Sequence, residues 1–227
     1  MRINRIAGAL GAELLDIDLS QRLDDATIAA IRQALLDHCV IFFRDQTITP
    51  AQQVAFARSF GEIVDYPMIK PLPGHPEIIP VIKEAHETVN FGGLWHTDTA
   101  YLAEPPLGSI LLAKEVPPFG GDTLFANGYL AYEALSDGLK ATLAPLKAVN
   151  RSGGASVAAT RGAGAKADEK SATHPVIRTH PETGRKSLYV NLAHTSRFEG
   201  MTEAESAPLL AYLFQHQIRP EFTCRFS

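Results

Sequence analysis

The segment Leu94-Trp95-His96-Thr97-Asp98-Thr99 places an imidazole and a carboxylate two residues apart. On an extended backbone successive side chains alternate between faces, so His96 and Asp98 are predicted to point the same way. One histidine and one carboxylate are two of the three ligands of the facial triad that binds non-haem Fe(II) and leaves coordination positions open. The segment therefore predicts a metal site built on a strand, with a third ligand from elsewhere.

Composition limits the classes of protein to consider. The chain has 227 residues, 45% of them hydrophobic, and a formal net charge of −4, which predicts one domain over residues 1–227 and no nucleic-acid partner. The first residues lack the apolar core of a secretory signal and no apolar run reaches membrane-spanning length, so we expect a cytoplasmic protein without membrane attachment. Cys39 and Cys224 are expected to be two buried thiols rather than a disulfide.

Capping residues mark the helices. Thr49, Pro50 and Gln52 form a complete helix start, and Thr202 with Glu205 forms a second capping box. Apolar spacing and these caps predict helices that follow Asp24 or Asp25, Thr49 and Thr202, and two short helices over residues 129–135 and 137–146.

Short apolar or alternating runs predict the strands. They cover residues 11–19, 40–43, 79–82, 107–113, 122–126, 176–179, 186–190 and 222–226. The run at 40–43 is continuous, as in a strand buried on both faces, and the pair 176–179 and 186–190 reads as a hairpin. Residues 151–173 are rich in Gly, Ala, Ser and Lys without apolar periodicity, which predicts a mobile loop that acts as a lid.

The histidine and aspartate pattern is a weak signal when it stands alone. His174, before a proline, is expected to pack or cap rather than bind a metal. His194 follows a predicted strand and turn, and two interpretations stay open for it: structural packing, or a place in the same cavity as His96. The context of the tripeptide therefore has to decide its meaning.

Six ordered blocks supply that context. They are Trp95 to Asp98, Glu104-Pro105-Pro106, residues 120–124, residues 131–136, His174-Pro175-Val176 with residues 178–181, and Tyr189-Val190-Asn191. Together they resemble the taurine dioxygenase/2,4-dichlorophenoxyacetate dioxygenase (TauD/TfdA) family of Fe(II)- and 2-oxoglutarate-dependent enzymes. The resemblance extends from the early strand at 11–13 to the last residue.

The resemblance implies a mainly β fold with flanking helices, a double-stranded β-helix or jelly-roll barrel. It implies that His96 and Asp98 are iron ligands and that Thr123 binds a carboxylate of the co-substrate 2-oxoglutarate. The family's third ligand, a distal histidine, and its 2-oxoglutarate-binding arginine have no counterpart in the 227 residues, so we expect the C-terminal barrel strands to be missing from this chain. The family also implies a homo-oligomer.

The substrate pocket departs from that of taurine enzymes. Tyr66 stands where they have a sulfonate-binding histidine, residues 91–94 replace a polar run, and His194 replaces a phenylalanine. Tyr66 and His194 are the candidate substrate contacts, with core packing as the alternative for each. We expect O2-dependent hydroxylation of a small organic anion, a sulfonate, alkyl sulfate or aryloxyalkanoate, with succinate and CO2 as co-products.

Two other classes of protein remain open. One is a non-catalytic, truncated jelly-roll protein with a structural or binding role. The other is a cupin-like metal hydrolase or isomerase, which would act without 2-oxoglutarate or O2.

Overall fold

A computed structural model describes residues 1–64, 66, 70–88, 90–153 and 169–227. Within these ranges the chain forms ten strands and five α-helices. The strands are β1 (Arg2–Arg5), β2 (Ala12–Leu15), β3 (Ile41–Phe42), β4 (Thr123–Ala126), β5 (Lys147–Arg151), β6 (Ser171–Pro175), β7 (Ile177–Thr179), β8 (Lys186–Leu188), β9 (Thr195–Phe198) and β10 (Thr223–Phe226). The helices are α1 (Asp25–His38), α2 (Pro50–Arg58), α3 (Gly128–Glu133), α4 (Asp137–Leu143) and α5 (Glu203–Gln217).

The N-terminal part is a small sheet covered by two helices. β2 pairs antiparallel with β1 and parallel with β3. Asp24 caps α1 and Thr49 caps α2 in a reciprocal capping box, as the sequence predicted. Their apolar faces enclose one core, formed by Leu14, Leu19, Ile31, Ala34, Ile48 and Phe56.

A second core lies beneath the sheet β6-β5-β9, in which both outer strands run antiparallel to β5. Helices α3, α4 and α5 contribute to it, and α5 begins at the predicted capping box of Thr202. The buried members include Leu143, Ala148, Val176, Val190, Phe198, Leu210, Leu213 and Phe222. This core carries the segments that position the candidate site.

Two further antiparallel pairs complete the described strands. β7 and β8 form the predicted hairpin, and β10 pairs with β4 so that Thr123 lies opposite Phe226. Cys39 and Cys224 are both free thiols; Cys224 is buried as expected, whereas Cys39 is only half-buried.

Several predicted strands are wrong. Residues 79–82 and 107–113 form no strand, and in the described part of the chain neither segment has a pairing partner. Apolar side chains in these segments are correspondingly exposed, with Leu111 at 76%. β3 is a two-residue edge strand with half-buried side chains rather than a strand buried on both faces. Strand-type sequences need a neighbouring strand to satisfy their backbone groups, and these segments lack one among the described residues.

The predicted lid loop at 151–173 is shorter than expected, because its ends belong to strands. β5 includes Arg151 and β6 begins at Ser171, and the two strands pair directly. Residues 154–168 lie outside the described residues, so the role of this segment as a lid stays a prediction. Among the described helices, none has the length and apolar character needed to cross a membrane.

Candidate metal centre

The segment that holds the candidate metal ligands is a loop and not the predicted strand. Residues 94–97 have irregular backbone and the chain turns from Asp98 onward, with Thr99 at a φ of 50°. The amide of Leu102 closes this turn on the carbonyl of Thr99 at 2.8 Å. The convergence predicted from strand alternation nevertheless exists: His96 Nε2 lies 3.1 Å from Asp98 Oδ1. The two side chains therefore converge although this segment belongs to no strand among the described residues.

Two backbone carbonyls fix this loop to the rest of the fold. The Trp95 carbonyl accepts a hydrogen bond from the Ala193 amide at 3.2 Å. The Leu102 carbonyl accepts one from His174 Nε2 at 2.9 Å, and the buried His174 is thus a packing residue, as expected from the sequence. The loop is therefore held at both ends by segments next to the second core.

His96 is oriented by its own loop. Its Nδ1 lies 2.7 Å from the Leu94 carbonyl oxygen, and because a carbonyl only accepts, Nδ1 carries a proton. The other nitrogen, Nε2, is the one that faces Asp98. A backbone carbonyl on the distal nitrogen is the usual arrangement for a metal-binding histidine, since it fixes both the tautomer and the orientation of the ring.

The pair His96 and Asp98 is electrostatically coupled. The hydrogen bond to the Asp98 carboxylate raises the pKa of His96 above its ordinary value, although burial acts in the opposite direction. The hydrogen bond from His96 lowers the pKa of Asp98, again against the effect of burial. A cation between these atoms would replace the shared proton, because metal binding requires a neutral imidazole and an ionised carboxylate.

The second carboxylate oxygen of Asp98 has a separate partner. Ser109 Oγ donates to Asp98 Oδ2 at 2.6 Å. Sequence reasoning assigned Ser109 to an apolar strand and missed this contact. The sequence signal for this contact is the single hydroxyl side chain in the otherwise apolar run at residues 107–113.

Gly92 backs directly onto the imidazole, a second feature that sequence reasoning missed. Its φ is +69°, and a Cβ built there would lie 3.3 Å from His96 Cε1. A side chain at this position would therefore press on the ring, so glycine is required both for the backbone conformation and for the close approach.

His194 lies beside this pair, as one of the two open interpretations expected. Its ring is 6.4 Å from the ring of His96 in an edge-to-face arrangement and 5.0 Å from the ring of Tyr101. Its Nδ1 lies 3.1 Å from the Arg151 carbonyl, and its amide donates to Asn191 Oδ1 at 2.9 Å. Only 7% of His194 and 4% of Tyr101 are exposed. The imidazole is thus a fixed part of the wall next to the candidate metal ligands.

Two other predicted site residues are not joined to this cluster. Thr123 is exposed at the start of β4, and within the described residues no hydrogen bond connects it to His96 or Asp98. Tyr66 is half-buried, and residues 65 and 67–69 around it lie outside the described part of the chain. Their roles stay predictions.

The described residues supply two candidate ligands and no third. Among the described residues, no three His, Cys, Asp or Glu side chains lie close enough together to hold one ion. Asp98 is 52% and His96 33% exposed at the side chain, so the pair faces solvent on one side. The pair supplies two of the three ligands of a facial triad, one nitrogen and one oxygen donor, and these donor types suit Fe(II).

Comparison with known proteins gives a consistent picture. The family described as "Taurine catabolism dioxygenase TauD, TfdA family" matches residues 2–227. The chain is 34% identical to an alkylsulfatase of Acinetobacter baylyi, over 100% of this chain and 74% of that protein. It is 35% identical to an alpha-ketoglutarate-dependent sulfate ester dioxygenase of Pseudomonas putida, over 99% of this chain and 77% of the relative.

A solved structure extends the similarity to the fold. The crystal structure of a taurine dioxygenase from Burkholderia xenovorans matches with a TM-score of 0.84 at 38% identity, covering 99% of this chain and 75% of that one. This similarity confirms the predicted fold class, a mainly β jelly-roll with flanking helices. In the described residues the strands form four small sheets and no closed barrel.

Proposed function

The chain belongs to the taurine catabolism dioxygenase TauD, TfdA family, and we propose from this premise that it is an Fe(II)- and 2-oxoglutarate-dependent dioxygenase acting on a small organic anion. The observation that carries the proposal is the contact of 3.1 Å between His96 Nε2 and Asp98 Oδ1. It lies in the segment His96-Thr97-Asp98, where an imidazole is followed two residues later by a carboxylate; the two other segments with this order and spacing, 75–77 and 180–182, have a central proline typical of a turn.

His96 and Asp98 would hold the iron. Their donor atoms fit it, because Nε2 is the nitrogen left available by the Leu94 contact and Oδ1 is the carboxylate oxygen that faces it. Fe(II) in such a centre supplies the activation of O2, with 2-oxoglutarate converted to succinate and CO2. The protein residues contribute a fixed ligand geometry, an ordered substrate and the exclusion of water.

Thr123 is proposed to bind the co-substrate. A threonine hydroxyl donates to a carboxylate, and the exposed side chain of Thr123 at the start of β4 is accessible to one. The proposal derives from the resemblance of residues 120–124 to the family block.

The substrate is proposed to be an organic anion of the sulfate ester type, with His194 and Tyr66 as contacts. His194 supports this assignment because it is buried against Tyr101 and lies next to the candidate ligand His96. Two of the relatives, an alkylsulfatase and a sulfate ester dioxygenase, support a sulfate ester as a substrate to be tested beside the other anions. Hydroxylation of the carbon that bears the sulfate gives a hemiacetal-type ester, which collapses to an aldehyde and hydrogen sulfate.

The test is formation of succinate in the presence of Fe(II), 2-oxoglutarate and O2 with a panel of anions: a medium-chain alkyl sulfate, an alkyl sulfonate, an aryloxyalkanoate and taurine. We expect the alkyl sulfate to stimulate succinate formation most, with sulfate and the aldehyde released in equal amounts. Greatest stimulation by taurine would refute the assignment of Tyr66 and His194.

A second candidate is a non-catalytic jelly-roll protein with a binding role. It is the alternative to an enzyme that the sequence leaves open. Such a protein would form no succinate above the metal-only background with any anion, and the panel therefore separates the two candidates.

Location and assembly are part of the proposal. The two free thiols, Cys39 and Cys224, support a reducing compartment such as the cytoplasm. A homo-oligomer is proposed from the resemblance to the family alone. Light scattering coupled to size-exclusion chromatography gives the mass in solution, and a monomer at every concentration would refute the oligomer.

A further inference from the structure

The carboxylate of Asp98 has two different neighbours, one on each oxygen. Oδ1 faces His96 Nε2 at 3.1 Å, whereas Oδ2 accepts the hydrogen bond from Ser109 Oγ at 2.6 Å. A hydroxyl-to-carboxylate distance of this length is at the short, strong end of the range for such bonds. The two carboxylate oxygens of Asp98 therefore have different partners, His96 for Oδ1 and Ser109 for Oδ2.

The loop itself does little to fix this carboxylate. Residues 94–99 belong to no helix or strand, and the Asp98 side chain is 52% exposed. Rotation about the terminal torsion of an aspartate is broad and roughly two-fold, so without a second contact either oxygen could turn toward His96. Ser109 is eleven residues away and belongs to a different segment, which makes its hydroxyl an independent anchor.

The division of the oxygens has a consequence for coordination. A carboxylate binds a cation through one oxygen or through both. Binding through both would occupy an additional position, and the facial triad depends on open positions for co-substrate and oxygen. A hydroxyl that holds Oδ2 leaves Oδ1 as the ligand atom.

We propose that Ser109 is a positioning residue that holds Asp98 as a ligand through Oδ1 alone. The inference rests on the proposed function, because it assumes that Asp98 binds the metal. It adds a residue that the ligand pattern does not contain, and it predicts that a hydroxyl at position 109 supports metal affinity without touching the ion.

The test compares Ser109→Ala with Ser109→Thr, which keeps the hydroxyl, and with Ser59→Ala as a matched control. Ser59 is an exposed serine at the end of α2, and its Oγ makes one hydrogen bond to the described residues, to the carbonyl of Ala55 at 3.4 Å. Anaerobic Fe(II) and Co(II) dissociation constants are measured by competition with a chromophoric chelator, with thermal unfolding of the metal-free proteins alongside.

We expect Ser109→Ala to weaken metal binding by about 10–100-fold, the usual effect of losing a group that orients a ligand. Ser109→Thr and Ser59→Ala should bind like the wild type, and all four metal-free proteins should be folded at the temperature of the metal titration. The Co(II) absorption of Ser109→Ala should also change, because its carboxylate is free to bind through both oxygens.

Equal affinities for Ser109→Ala and Ser59→Ala would overturn the inference while leaving the metal site in place. An unchanged Co(II) spectrum together with weaker binding would overturn the single-oxygen assignment. Failure of the wild-type chain to bind either metal would overturn the proposed metal centre and this inference together, so the two kinds of failure are distinguishable.

Discussion

Replacement of Gly92 by alanine tests whether the backbone behind His96 determines metal binding. Gly92 has a φ of +69°, and an added Cβ would lie 3.3 Å from His96 Cε1 and 3.9 Å from Nε2. The left-handed backbone costs an alanine about 1–2 kcal/mol. The ring would have to move by about 0.2–0.7 Å to restore an ordinary carbon contact of about 3.5–4.0 Å. That movement disturbs the Nδ1 contact to Leu94 at 2.7 Å.

Gly74→Ala is the matched control. Gly74 has a φ of +80° with nothing within 4 Å of the added Cβ, so it carries the backbone cost without the contact. The backbone cost of about 1–2 kcal/mol lowers the unfolding temperature by about 2–4 °C for each kcal/mol in a protein of this size. Both variants should therefore unfold about 2–8 °C below the wild type. Only Gly92→Ala should lose Fe(II) affinity, by about tenfold or more in the chelator competition. Equal Fe(II) affinity in the two variants would refute the reasoning.

Three further changes have defined outcomes. Thr123→Ala should weaken 2-oxoglutarate binding by about 10–100-fold, because a hydrogen bond to a charged group contributes about 1.5–3 kcal/mol. Thr123→Ser keeps the hydroxyl and should bind 2-oxoglutarate like the wild type. Equal binding by the two variants would exclude the hydroxyl as a ligand of the co-substrate. Gly11→Ala places a Cβ 2.7 Å from Ile6 Cγ1 at a φ of +92°. Urea unfolding should show that this variant loses about 1–3 kcal/mol more of its free energy of unfolding than Gly74→Ala, because the added carbon overpacks the site. Equal losses in the two variants would contradict the packing argument. His194→Phe should lower turnover of alkyl sulfates without changing Fe(II) affinity, and unchanged turnover would show that the imidazole only packs.

Local chemistry made the helices predictable. Asp24, Thr49 and Thr202 are caps whose side chains accept from the backbone within three residues, so the signal and the structure lie in the same short segment. The hairpin β7–β8 and the strands β4 and β10 were predictable for a similar reason, because apolar runs flank clear turn residues.

The failures depend on contacts between distant segments. Residues 107–113 have the composition of a strand, but a strand also needs a neighbour, and their pairing partner is absent from the described residues. The convergence of His96 and Asp98 was predicted and is observed, but the segment that carries it is a loop and not the expected strand. Ser109 and Gly92 were not predicted because the local sequence does not identify the group that each of them contacts. Ser109 matters through its hydrogen bond to Asp98 Oδ2, and Gly92 through its closeness to the His96 ring.

The most direct test of the central claim is anaerobic titration of the protein with Fe(II) in the presence of 2-oxoglutarate, followed by visible absorption. Asp98→Asn removes the ligand charge, and Asp37→Asn on the exposed face of α1 is the matched control. We predict a weak charge-transfer band for the wild type and for Asp37→Asn, and its loss in Asp98→Asn. An equal band in Asp98→Asn would contradict the assignment of His96 and Asp98 as the iron site.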